Sequence, residues 1–190
     1  MDNQISVNKE FKSEDFSNSK MECNEFESCV FSGCNFAQSL LNGVVFIDCK
    51  FDNCNFAMAK FNDTSLRNIT FENCKLIGID FSQCSDFLFS VYFNSCNLDY
   101  SSFFKRKMKA TKFTDCTLKE VDFSKADLTS SVFKNCDLSG TVFDNSILEK
   151  VDFRTASNYT IDPELNKMKK AKFSLSGISG LLSKYNIEIE

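Results

Sequence analysis

Residues 111–153 read TKFTD CTLKE VDFSK ADLTS SVFKN CDLSG TVFDN SILEK VDF, and one large apolar residue recurs in each group: Phe113, Leu118, Phe123, Leu128, Phe133, Leu138, Phe143, Leu148 and Phe153. Two positions ahead of each stands a smaller one: Thr111, Cys116, Val121, Ala126, Ser131, Cys136, Thr141, Ser146 and Val151. The residues between are mostly Asp, Lys, Ser, Thr and Asn. This period matches neither the 3.6 of a helix nor the 2.0 of an extended strand. It fits a coil in which each unit makes one short strand and one turn, with the large residue (position i) and its companion at i−2 pointing inward. One unit cannot bury its own apolar pair, so units must stack into a solenoid.

Upstream, the same period occupies Phe11, Phe16, Met21, Phe26, Phe31, Phe36, Leu41, Phe46, Phe51, Phe56, Phe61, Leu66, Phe71, Leu76 and Phe81. It then slips by two residues, resumes at about Leu88 and continues through Phe93, Leu98, Phe103 and Met108 into the stretch above. Eighteen of the 22 Phe lie on these positions, so Phe serves as a stacking column. Seven or so coils at one strand spacing each, about 4.8 Å, make a rod roughly 34 Å long before its caps. Nine of the ten Cys fall at i−2, and Cys34, Cys54, Cys74, Cys96, Cys116 and Cys136 recur every twenty residues, with a single twenty-two at the slip. Four units per turn would stack these six in one interior column. The series has no close C-x-x-C pair and the chain has no His, so we take these cysteines as small buried hydrophobes rather than metal ligands or disulfides. Cys23 falls outside the pattern and is expected nearer the surface.

Segments such as Ala126-Asp127-Leu128-Thr129-Ser130 and Cys136-Asp137-Leu138-Ser139-Gly140 resemble the A(D/N)LXX unit of the pentapeptide-repeat family. The resemblance implies an all-β solenoid, a right-handed quadrilateral parallel β-helix with four units to a coil. With one Pro and six Gly in the chain, its turns must come from a repeated backbone device instead of these breakers. The expected organisation is a lead-in at 1–10, coils in the first register at 11–81, the slip at 82–92, coils in the second register at 93–156, and a C-terminal cap and dimerisation segment at 157–190. In that last segment Leu175, Ile178, Leu181, Leu182 and Tyr185 approximate a helical stripe with Ser174 as N-cap, followed by a short strand at Ile187-Glu188-Ile189-Glu190. Its default role is to plug the last open coil. The ending looks like the cap of the quinolone-resistance members, and the resemblance implies a two-fold homodimer built on Leu175, Ile178, Leu181, Leu182, Tyr185, Ile187 and Ile189. Such a dimer would be a rod of roughly 70 Å, about twenty base pairs of DNA at 3.4 Å each.

Two places depart from the repeat. Between Ser82 and Tyr92 the slip is either one bulge near Ser85-Asp86 or two separate insertions with Phe87 turned inward, and some apolar residue among Phe87, Leu88 and Phe89 is left facing out. At Lys105-Arg106-Lys107-Met108-Lys109, Arg106 falls on an i−2 position, where an unpaired charge is too costly to bury; the coil is distorted there or Arg106 reaches outward. With Val45 and Ile47 at outward positions on the same side, these residues define a candidate partner face: Val45, Ile47, Phe87, Phe89, Arg106, Lys107 and Lys109.

Charge and motifs bound the function. Residues 1–100 carry a net −7 and residues 101–190 a net +3, which argues against direct nucleic-acid binding, since that needs a basic stripe. Without His, a P-loop or a dinucleotide fingerprint, nothing points to an enzyme, a cofactor or a metal. The opening Met1-Asp2-Asn3-Gln4-Ile5 lacks the basic and apolar regions of a secretion signal, and no apolar run nears membrane-spanning length, so a cytoplasmic protein is expected. Two readings follow. In the first, resemblance to the quinolone-resistance members implies an acidic rod that mimics DNA and protects or regulates DNA gyrase or topoisomerase IV. The chain departs from those members in having no long projecting loop and no continuously acidic face. In the second, it is a general interaction scaffold, for which a mixed apolar and basic patch would speak.

Overall fold

The computed structural model describes residues 4–188, and two local habits of the backbone close each five-residue unit. The residue at i+2 takes the left-handed conformation, as Asn53 and Asn135 do at φ 53°. Among the described residues, twelve of the 26 non-glycine positions with positive φ are Asn or Asp, the types that tolerate it best, and Gly33, Gly43, Gly78 and Gly140 share it. An Asp at i−1 completes many turns by accepting the N–H of i+1: Asp122, Asp127, Asp137 and Asp152 accept from Ser124, Thr129, Ser139 and Arg154 at 2.8–3.2 Å. These Asx turns are the repeated device that replaces Gly and Pro.

Eleven short strands lie among the described residues: β1 (Ile5–Val7), β2 (Glu10–Lys12), β3 (Glu25–Glu27), β4 (Val30–Ser32), β5 (Val45–Ile47), β6 (Lys50–Asp52), β7 (Ser65–Arg67), β8 (Ile69–Glu72), β9 (Val91–Asn94), β10 (Lys112–Thr114) and β11 (Val132–Lys134). They pair in parallel in two sheets, β1-β3-β5-β7 on a first side and β2-β4-β6-β8-β9-β10-β11 on a second. Single bridges such as Asn35↔Asn55 and Leu40↔Lys60 hold the third and fourth sides. The chain is therefore a four-sided parallel β-solenoid.

Register fixes the core. On the second side Phe11, Phe31, Phe51, Phe71, Phe93, Phe113, Phe133, Phe153 and Phe173 form one stack, neighbours 4.6–5.4 Å apart and within 15° of parallel. Rings from adjoining sides meet edge-on, as Phe113 and Phe123 do at 80°, which sets ring edges against ring faces. Each fully buried ring contributes about 1.5–3 kcal/mol. The i−2 positions do more than fill space. Ser131, Ser146 and Thr64 donate to the carbonyls of Met108, Phe123 and Leu41 on the preceding coil, all at 2.8 Å. The thiols of Cys54, Cys74 and Cys96 donate in the same way to Phe31, Phe51 and Phe71, each at 3.4 Å. The cysteines are thus weak donors as well as small hydrophobes. All ten are free, Cys23 is half-buried, and burial pushes the Cys49 and Cys84 thiols up to about 12.

At the slip, a 3₁₀ turn at Phe81–Gln83 leads in, the Ser85 N–H still donates to the Thr64 carbonyl, and pairing is regular again once Ile69 faces Val91. The extra residues form one bulge between Ser85 and Ser90. Leu88 does not resume the core register: it sits at a corner with φ 55° and is 64% exposed, while Phe89 turns in against the core.

The C-terminal cap differs from the expected stripe. Ser174 Oγ accepts the Gly177 N–H, and the chain then runs through a 3₁₀ turn at Leu175–Gly177, α1 (Ser179–Leu182) and a second 3₁₀ turn at Ser183–Tyr185. Tight three-residue turns break the 3.6 period. Leu181 packs on the core and Leu182 is half-buried, but Leu175 is 90% exposed and Ile178, Tyr185 and Ile187 also face outward. The end is plugged by Tyr159, whose ring lies against Phe153 and Phe173, and by buried Ile161, which donates its N–H to Gly180. A side chain on Gly180 would collide with the Tyr159 carbonyl, so this approach requires glycine. Ile187 and Glu188 form no strand; Ile189 and Glu190 lie outside the described residues. Among the described residues no helix is long and apolar enough to cross a membrane.

Candidate functional site

Arg106 and the slip are two parts of one arrangement. The bulge draws the Cys84 and Ser85 carbonyls away from the regular ladder, and the Arg106 side chain, 3% exposed, reaches back to meet both at 2.9 Å. Its Nη1 also pairs with Asp86 at 2.8 Å, and its guanidinium lies 4.1 Å from the centroid of the Phe89 ring. The coil through Arg106 itself stays regular, with its carbonyl accepting from Asp127 at 2.9 Å. Burial lowers the proton affinity of the guanidinium, and the charge survives because carbonyls and an aromatic face surround it. Arg106 therefore leaves the candidate partner face: it is a structural cation beneath it. Phe89 leaves with it as the partly buried ring under that cation. No sequence signal linked the two departures except their spacing, since Arg106 lies one coil beyond the bulge.

The remaining candidates do share one side. Val45 and Ile47 in β5 pair with Ser65 and Arg67 in β7. The Arg67 guanidinium lies 4.8 Å over the ring of Phe87, which is 61% exposed. One coil on, Lys107 bridges to Asp127 and Lys109 forms an ion pair with the same residue at 3.3 Å. Charge changes sign along this first side, from Glu25 and Glu27 in β3 to Lys107 and Lys109 and then Lys167 and Lys169, with apolar Val45, Ile47, Phe87 and Leu88 between. It is a mixed apolar and charged surface.

The second candidate surface is the C-terminal end, where Leu175, Ile178, Tyr185 and Ile187 stand exposed around α1. Lys184 anchors this end to Asp162 and Glu164, both at 2.8 Å, and the contact holds both carboxylates below their usual range.

A family model described as a pentapeptide repeat region matches residues 20–103 and 106–181. Among solved structures, a trypsin-treated variant of QnrB1, a plasmid-mediated fluoroquinolone resistance protein, is similar with a TM-score of 0.65 at 21% identity, covering 100% of this chain and 95% of that one. Full-length QnrB1 gives 0.50 at 19% identity, covering 96% and 100%. HetL, a pentapeptide repeat protein involved in heterocyst differentiation regulation in the cyanobacterium Nostoc, gives 0.43 at 16% identity, covering 91% and 85%. No curated protein matches by sequence.

Proposed function

The chain belongs to the pentapeptide-repeat family, and from that premise we propose that it is a non-enzymatic protein-interaction rod whose partner is a type II topoisomerase, DNA gyrase or topoisomerase IV. The observation that carries the non-enzymatic reading is the filled interior: stacked Phe and closed i−2 columns leave the outer surface and the ends for recognition. The topoisomerase reading draws on the likeness to QnrB1 in fold along the whole chain and on the net −4 charge, which suits a surface that receives DNA. The exposed apolar residues around α1 support a homodimer through the C-terminal cap. The protein would act in the cytoplasm, without cofactor or metal.

The deciding experiment is gyrase supercoiling at rising protein concentration, with and without a fluoroquinolone. Rescue from the drug, or direct inhibition, is the expected outcome; no effect at tens of micromolar, well beyond a working affinity of about 1 μM, sinks the topoisomerase reading. A second reading, a general interaction scaffold, is favoured by the mixed apolar and charged surface on the first side.

A further inference from the structure

The first side is complementary to itself. Let a second copy be turned end over end about an axis crossing this side at β7. Each coil then meets the coil equally far beyond the axis, with i−1 positions opposing i−1 and i+1 opposing i+1. Ile47 of one copy faces Phe87 of the other, while Val45 faces Ser85 and Leu88 stands at the adjoining corner. One coil farther out, Glu25 opposes Lys107 and Glu27 opposes Lys109. Each match occurs twice, as an isologous contact requires.

We propose that the chain associates with a second copy of itself, antiparallel and side by side, through the first side centred on β7. The register is specific. An axis one coil later, at the bulge, would oppose Glu27 to Glu149 and Arg67 to Lys109, setting like charges together. An axis at β5 would shorten the overlap and leave Lys107 and Lys109 unopposed. Arg67, which lies at the axis, is turned aside: its Nε bonds Ser65 Oγ at 3.0 Å and its guanidinium covers Phe87. One side of a narrow rod is a small contact, so the pairing is concentration-dependent and weakens with salt.

This inference rests on the first side being an interaction surface and is independent of any topoisomerase role. The test is sedimentation equilibrium of the full chain over a concentration series, with circular dichroism confirming the fold of each variant. Glu25→Lys with Glu27→Lys, and separately Lys107→Glu with Lys109→Glu, should each weaken self-association about tenfold or more, and the four together should return it to within about threefold of the wild type. Equal self-association in all four proteins overturns the proposal and moves any dimer to the cap. Failure of the combined variant to recover also overturns it. A monomeric wild type that binds another protein through Phe87 and Lys107 overturns the self-pairing while leaving the interaction surface standing.

Discussion

Ser131 and Arg106 occupy the same i−2 place in their units, and the coils behind them differ by two residues. In the regular stretch Ser131 Oγ reaches back 2.8 Å to one carbonyl of the preceding coil, and the backbone ladder runs on unbroken, the Val132 N–H donating to the Thr111 carbonyl. At the bulge the carbonyls of Cys84 and Ser85 have moved out of reach of any hydroxyl, and a long, branched cation spans the gap. The two positions perform one task, satisfying buried carbonyls, with side chains of very different length. A solenoid tolerates an irregular coil when the next coil supplies the missing donors.

The sharpest way to break this equivalence is Arg106→Met, which keeps the volume and removes the donors. It should cost about 3–4 kcal/mol and lower the melting temperature by about 10 °C. Calorimetry showing a loss below about 1 kcal/mol would mean the bulge carbonyls do not need the cation. The converse experiment deletes Asp86 and Phe87 and replaces Arg106 by Ser. The unit then reads Cys84, Ser85, Leu88, Phe89, Ser90, with Leu88 at i, and should recover about 2 kcal/mol or more of the loss seen with Arg106→Ser alone.

Smaller effects sharpen the comparison from the regular side. Ser131→Ala, which leaves the Met108 carbonyl without its hydroxyl donor, should cost about 1–1.5 kcal/mol, whereas Ser131→Cys should cost roughly half of that. Equal losses in urea melts would show that the thiol column is mere filler. Asp86→Asn should cost less than about 1 kcal/mol, because Asp86 is 92% exposed and its attraction to Arg106 is screened.

Acid should act on the regular turns and spare the bulge. The Arg154 side chain holds Asp152 below the usual carboxylate range, and Asp127 and Asp137, despite partial burial, are held low by hydroxyl, amide and Asn158 donors. A depressed folded value means that stabilisation is complete above the unfolded carboxylate value of about 3.9 and fades as the pH falls below it. Hydrogen exchange between pH 5 and about pH 3 should therefore loosen the amides of Thr129, Ser139 and Arg154 more than those of Ser85 and Ser90. The reverse order would mean that the bulge, not the turns, is the acid-labile element.

Much of this was legible in the chain. The period of five and the twenty-residue cysteine spacing give four sides, a stacked Phe interior and the place of the slip, because register in a parallel solenoid repeats the sequence itself. Legibility ended where the repeat did. Leu88 and Phe89 are both large and apolar, and only the backbone path through the bulge sends one to a corner and the other inward. Tyr159 plugs the end from a position outside the period; an aromatic standing just after Ala156-Ser157-Asn158 was the available signal. In the cap, 3₁₀ turns rotated Leu175 and Tyr185 away from the core.

The sequence by itself determined the architecture, since each local unit contains its own inward pair and its own turn chemistry, and stacking only repeats them. The tertiary structure alone decided the fate of Arg106. A charge in an apolar column is forbidden by its own unit and permitted only by two carbonyls and a ring that belong to the coil before it. The side on which Glu25, Val45, Phe87 and Lys107 meet was likewise set by the rise from coil to coil, which places residues some twenty apart in the chain on neighbouring coils of the surface.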